Sequence, residues 1–155
     1  MNATLTNNQI DLSQWFDSLV ATIRADQLEL ESGIANQEKK ELYSPLISGD
    51  YLKMAENMRQ ENSKFFISQI VKDYLTEINA RKAKPISLAL QLSESKLLVW
   101  AVIKDDDELC EDQLFLAEAA VNSRFYQYGF HISTTLVEES DSCKIPNHFI
   151  EVVNG

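Results

Sequence analysis

Hydrophobic residues in the first part of the chain recur at three- and four-residue steps. Leu12, Trp15, Phe16, Leu19, Val20 and Ile23 share one side of a helix, the signature of a buried face. Asp11, with Gln14 three residues on, suits a capping box at its start. Ser32-Gly33 suits its end. A short polar helical stretch is predicted from Ala35 to Tyr43, stopped by Ser44-Pro45. After Gly49-Asp50 a longer pattern opens with Leu52, Ala55 and Met58. It strengthens through Phe66, Ile67, Ile70, Val71, Tyr74, Leu75 and Ile78. Gln60 to Ser63 is the weak joint between them, so residues 50–82 read equally as one bent helix or as two helices.

Pro85 changes the period. Ile86, Leu88, Leu90 and Leu92 alternate with Ser87, Ala89 and Gln91, as a strand with one buried face should. The polar link Ser93 to Lys96 leads into Leu97 to Ile103, apolar on both faces: a central strand, antiparallel to the first. The helical period returns from Glu108 to Tyr128 through Cys110, Leu114, Ala117, Val121 and Phe125, and Gly129 suits the left-handed residue that closes a helix. Phe130, Ile132, Thr134 and Leu136 then alternate as a third strand. A helix of that length spans about 32 Å and a strand of about eight residues about 27 Å. The helix therefore runs back along the second strand and delivers the third parallel to it, as a right-handed crossover. His148 to Val153 adds an edge strand or lies in a C-terminal tail over 138–155.

The predicted fold class is α+β. A helical N-terminal half (11–82) is followed by a β-β-α-β unit (86–137) forming a small mixed sheet with a packed helix, all in a single domain of 155 residues.

Charge narrows the function. The formal net charge is −10, and residues 1–80 and 81–155 each carry 7 basic and 12 acidic side chains. Such a field repels nucleic-acid phosphates and anionic membrane surfaces. The one basic cluster, Arg81, Lys82 and Lys84, follows a helical pattern, where cations complement the dipole. The expectation is no nucleic acid, no membrane and a protein partner, a basic one above others. No run approaches the ~20 apolar residues of a membrane span, and the first residues lack the pattern of a signal peptide. Two cysteines, Cys110 and Cys143, fit a reducing compartment, so the expected location is cytoplasmic.

The stretch from Val99 to Asp112 poses the sharpest chemical question, because an apolar strand stops at Asp105, Asp106 and Asp107. One reading is a helix start: anions are stabilised at a helix N-terminus, Asp105 with Glu108 has the spacing of a capping box, and Asp106 or Asp107 would cap equally well. The other is a cation site. Parallel strands end on one sheet edge, so Asp105 and Asp107 could meet Glu139, beyond the third strand, and hold Mg²⁺ or Mn²⁺ for phosphoryl or nucleotidyl transfer. The strand-helix-strand order has the shape of a minimal nucleotidyltransferase. The Gly-Ser turn and the paired carboxylates on the following strand are missing, however, and the nearest acid, Glu94, sits in the link.

Cys110, Cys143, His131 and His148 lack the paired spacing of a zinc site, and Cys110 falls on an apolar helical stripe. Around Cys143 nothing evident lowers a thiol pKa. Glycine-rich phosphate loops and the G-x-S-x-G motif are missing. The paired aromatics Trp15-Phe16 and Phe65-Phe66 cannot all point inward, which makes these four the candidates for contact with a protein, including a second copy in a homodimer. The leading expectation is a non-enzymatic protein-binding module of regulatory, inhibitory or chaperone-like type that uses no cofactor. The alternative is the divalent-metal enzyme just described.

Overall fold

Three helices fill the first part of the chain: α1 (Leu12–Glu31), α2 (Gln37–Ser48) and α3 (Tyr51–Ala80). The computed structural model describes residues 11–154. Two compact units meet between Asn57 and Met58, inside α3.

In the first unit, Asp11 caps α1 by accepting the N–H groups of Ser13 at 3.0 Å and Gln14 at 3.3 Å. Gly33 leaves the helix at φ 74°. Asn36 caps α2 through the N–H of Lys39. Contrary to expectation, α2 does not stop at Ser44-Pro45; it continues to Ser48 and closes at Gly49, whose φ is 73°. A proline removes one N–H from the ladder but leaves its carbonyl, and here the Pro45 oxygen accepts the N–H groups of Gly49 and Asp50. The ring is buried, and the left-handed glycine, not the proline, ends the helix.

The apolar face of α1 is the larger departure. It was expected to be buried, yet none of the residues of α1 is buried. The six stripe residues range from 38% exposed at Leu19 to 68% at Leu12. The hairpin partner of α1 is the shorter helix. A helix of twenty residues runs about 30 Å and one of twelve about 18 Å. The polar contacts of α2 with α1 fall on Asp26 and Glu29, beyond the stripe.

Residues 50–82 settle as one helix. The joint at Gln60 to Ser63 interrupts the apolar pattern but not the backbone, because glutamine and glutamate are good helix formers.

The second unit adds β1 (Ser87–Leu92), β2 (Lys96–Ile103), α4 (Glu108–Phe125), β3 (His131–Glu138) and β4 (Ile150–Asn154). The sheet order is β3-β2-β1-β4. Strands β1 and β2 pair antiparallel from Ser87↔Val102 to Leu92↔Leu97. Strands β2 and β3 pair parallel from Lys96↔His131 to Ile103↔Glu138. β4 lies antiparallel on the other side of β1, with an irregularity between Leu88 and Ala89. The fold is thus α+β with a small mixed sheet. The segment near the C-terminus supplies its fourth strand.

One face of the sheet carries the core. Ile70, Tyr74 and Ile78 from α3 and Cys110, Leu114, Ala117 and Val121 from α4 pack over Leu88, Leu90, Leu97, Val99, Ala101, Ile103 and Ile132. Each large side chain so buried is worth about 1.5–3 kcal/mol. Strand β2 alternates as a sheet strand must, with Leu98, Trp100 and Val102 half-buried on the other face. There the ring of Phe149 meets Trp100 edge-on at 6.1 Å. Strand β1 alternates less cleanly: Leu88, Ala89 and Leu90 are all buried, whereas Leu92 is exposed at the strand end.

The return from α4 to β3 is fixed by Asn122. Its side chain accepts the N–H of Ile132 at 2.7 Å and donates to the carbonyl of the same residue at 3.1 Å. A 3₁₀ turn over Tyr126–Tyr128 and Gly129 at φ 83° reverse the chain. Arg124 ties α4 to α3 through Asp73 and Glu77.

Candidate functional site

The parallel register of β2 and β3 brings their C-terminal ends together, as topology requires. The carboxylates there are engaged with backbone. Asp105 accepts the N–H of Ser140 at 2.9 Å, and Glu138 accepts the N–H of Asp106 at 3.0 Å, so each loop holds the other. Asp107 caps α4 through the N–H of Cys110 at 3.1 Å. Of the three aspartates able to cap, Asp107 does so, and the residues before it form a turn in which Asp106 takes φ 58°. Glu139 opens a 3₁₀ turn closed by a reciprocal pair between Glu138 and Asp141. Among the described residues, no group of three or more His, Cys, Asp or Glu side chains is placed to hold a metal ion. The acids converge as a clamp between two loops.

The thiols and imidazoles stand apart. Cys110 is buried on α4, where burial pushes its thiol pKa up, away from a reactive thiolate. Cys143 is exposed. His131 stacks on Tyr126, and His148 leans on Phe149.

Of the four aromatic candidates, the structure separates one from three. Phe66 is stacked on Tyr128 at 5.0 Å and on Phe130 at 4.8 Å, with Phe125 edge-on at 6.5 Å. It is part of the packing between α3 and the chain reversal after α4. Its neighbour Phe65 is 59% exposed. Trp15 and Phe16 are both about half exposed and touch each other edge-on at 5.0 Å. They join Leu12, Leu19, Val20 and Ile23 in an apolar strip along α1.

Charges stand at both ends of this strip, with Asp11 at its start and a polar cluster beyond Ile23. Lys39 bridges Asp26 at 2.9 Å and Glu29 at 2.6 Å, and the Tyr43 hydroxyl donates to Asp26 at 2.6 Å. The Tyr43 hydrogen bond and then Lys39 hold the Asp26 carboxyl below its ordinary range. Glu29 and Asp26 in turn raise the Lys39 ammonium. This polar lock fastens the α1–α2 hairpin beyond Ile23 and leaves the strip before it uncovered among the described residues.

A groove missed by the sequence reading lies in the second unit, with a volume of about 760 Å³. Ile67, Val71 and Leu92 line it, and Arg59, Lys64 and Lys72 stand among its polar residues. Arg59 and the Ser63 hydroxyl close one end on Glu94. No local periodicity announces a groove built from α3 and a strand link some thirty residues away.

Comparison with known proteins finds no family model that matches the chain, and no curated protein or solved structure that does so.

Proposed function

We propose that this protein works as a non-enzymatic module that binds another protein, and that the exposed face of α1 is its contact surface. The observation that carries this reading is the strip Leu12, Trp15, Phe16, Leu19, Val20 and Ile23, apolar, continuous and solvent-exposed. With full side chains near 200 Å², the exposed fractions amount to roughly 600 Å², the upper end of what a monomer ordinarily leaves in water. Helices draw most of their stability from packing an amphipathic face, and among the described residues this face is only partly covered. Phe65 is a second, smaller anchor on α3.

The remaining surface is acidic, with a net charge of −10. It favours a basic protein surface outside the strip and disfavours nucleic acid. The two free cysteines suit a reducing, cytoplasmic setting. The rival reading, a metal-dependent transferase, draws no support from the loops that hold Asp105, Asp107 and Glu139, because two of the three acids already serve backbone amides.

Face-specific photocrosslinking tests the proposal. A benzophenone side chain at Trp15 or Leu19 is expected to form adducts with protein in the producing cell. The same group at Gln14 or Ala21, on the opposite side of α1, is expected to form none. Equal labelling from both faces, or none from the strip, would refute it.

A further inference from the structure

We infer that the occupant of the α1 strip is the α1 helix of a second copy, packed antiparallel about a two-fold axis that passes between Asp17 and Ser18. The inference rests on the reading of α1 as a protein contact and names its partner.

The pattern is its own complement. The strip advances by three, one, three, one and three residues, so it reads the same in either direction. A reversed copy in this register sets Leu12 beside Ile23, Trp15 beside Val20 and Phe16 beside Leu19. Each aromatic ring then meets an aliphatic side chain, the large-against-small arrangement that fills space evenly. A parallel pair would instead set Trp15 on Trp15 and Phe16 on Phe16, leaving Val20 opposite Val20.

Charge points the same way. Two copies of a chain with net charge −10 repel each other unless the joint is free of carboxylates. Between Leu12 and Ile23 the one charged residue is Asp17. At 100° per residue it lies about 130° around the helix from the middle of the strip. Ser13 and Thr22 border the strip, and the Thr22 hydroxyl is satisfied within the helix by the Ser18 carbonyl at 3.0 Å. A basic partner would find no countercharge within the strip, whereas a second copy meets it with both Asp17 carboxylates turned away from the joint.

Area and length agree. Two strips of roughly 600 Å² can bury up to about 1,200 Å² together, the lower end of a stable interface. The lock at Asp26 begins beyond Ile23, so its charges lie outside the length that a reversed copy pairs with. Pairing through α1 leaves the acidic remainder of both copies open to a basic protein.

Sedimentation and paired spin labels on the full chain test this. In a Cys143→Ser background, where the remaining Cys110 is buried, a nitroxide is placed at Ser18 or at Leu28. In the antiparallel pair the two Ser18 positions lie about 1.5 Å apart along the helix axis and the two Leu28 positions about 31 Å apart. A parallel pair gives equal separations at both sites. The expected result is a dimer at about 100 µM, with the long separation at Leu28 and a dissociation constant raised about a hundredfold by Leu19→Glu. Leu19 lies outside the core, so the melting of the β-containing unit is expected to stay unchanged. A wild-type monomer, a dimer with equal separations, or a dimer indifferent to Leu19→Glu overturns the pairing. A monomer whose strip still crosslinks to a different protein overturns the second copy alone. A monomer without face-specific adducts overturns the contact reading as well.

Discussion

Asp107→Ala removes the side chain that caps α4 and leaves the N–H of Cys110 without its acceptor. Loss of such a cap costs about 1 kcal/mol. Asp105→Ala takes the acceptor from the N–H of Ser140, in the turn after β3. That bond has a charged acceptor but is exposed, so its loss also costs about 1 kcal/mol. The two carboxylates share no partner but sit in one turn, so the double variant is expected to lose about 2 kcal/mol, less or more by the coupling between them. In a unit of about 100 residues each kilocalorie lowers the melting temperature by about 4–8 °C, so the double variant should melt about 10 °C or more below wild type.

The informative comparison is with asparagine. Asn caps a helix as well as Asp does and keeps a carbonyl acceptor, so Asp105→Asn/Asp107→Asn should recover most of the loss. Thermal unfolding by circular dichroism, in EDTA and in millimolar Mg²⁺ or Mn²⁺, gives both readings in one series. A clamp predicts that alanine weakens, asparagine restores and metal does nothing. A cation site predicts the reverse: metal raises the wild-type melting temperature, and the asparagine pair abolishes that response. The second outcome would refute the clamp and revive the transferase reading.

Two further outcomes are expected. The Tyr74 phenol is fully buried, with Thr134 the polar group beside it and no hydrogen bond of good geometry between them. Tyr74→Phe should therefore leave stability unchanged or raise it by about 1 kcal/mol in urea unfolding, and a loss of that size would expose a hidden partner. The lowered Asp26 pKa means that its contribution is complete above the ordinary value of 3.8 and is lost as pH falls through its lower folded value. Lys39, raised in the fold, contributes below its ordinary 10.5 and loses this only as pH rises past its higher folded value. Helicity should hold steady from about pH 5 to 9 and decline in acid, and Asp26→Asn should remove part of that acid limb. Identical acid limbs in the two proteins would count against the lock.

The β-containing unit was largely legible because its constraints are local or topological. Period-two runs at Leu88–Leu92 and Leu97–Ile103, a short link and a helix of matching length leave few ways to pair three strands. The same topology predicted that Asp105 and the residues after β3 would meet, and they do. What the carboxylates do there was not legible. It depends on loop backbone, including left-handed conformations at Asp106 and Ser142, which no residue spacing specifies. The end of α2 was misread for a related reason: Pro45 forbids one hydrogen bond, while only the φ of Gly49 turns the chain away.

The α1 helix shows a different limit. Hydrophobic periodicity states which residues must leave water, and it is silent about which chain covers them. In α3 the stripe from Ile67 to Ile78 and the sheet it needs lie in one sequence, so the inference from pattern to burial holds. In α1 the same inference meets a hairpin partner twelve residues long whose polar contacts fall on Asp26 and Glu29, and the stripe residues stay 38–68% exposed. The clue lay in the adjacent aromatics: Trp15 and Phe16 widen the face beyond what one neighbouring helix covers. An amphipathic helix with adjacent aromatics and a pattern symmetric about its midpoint has the pattern of an interface as much as that of a core. The difference between the two lies in how much chain is available to cover it.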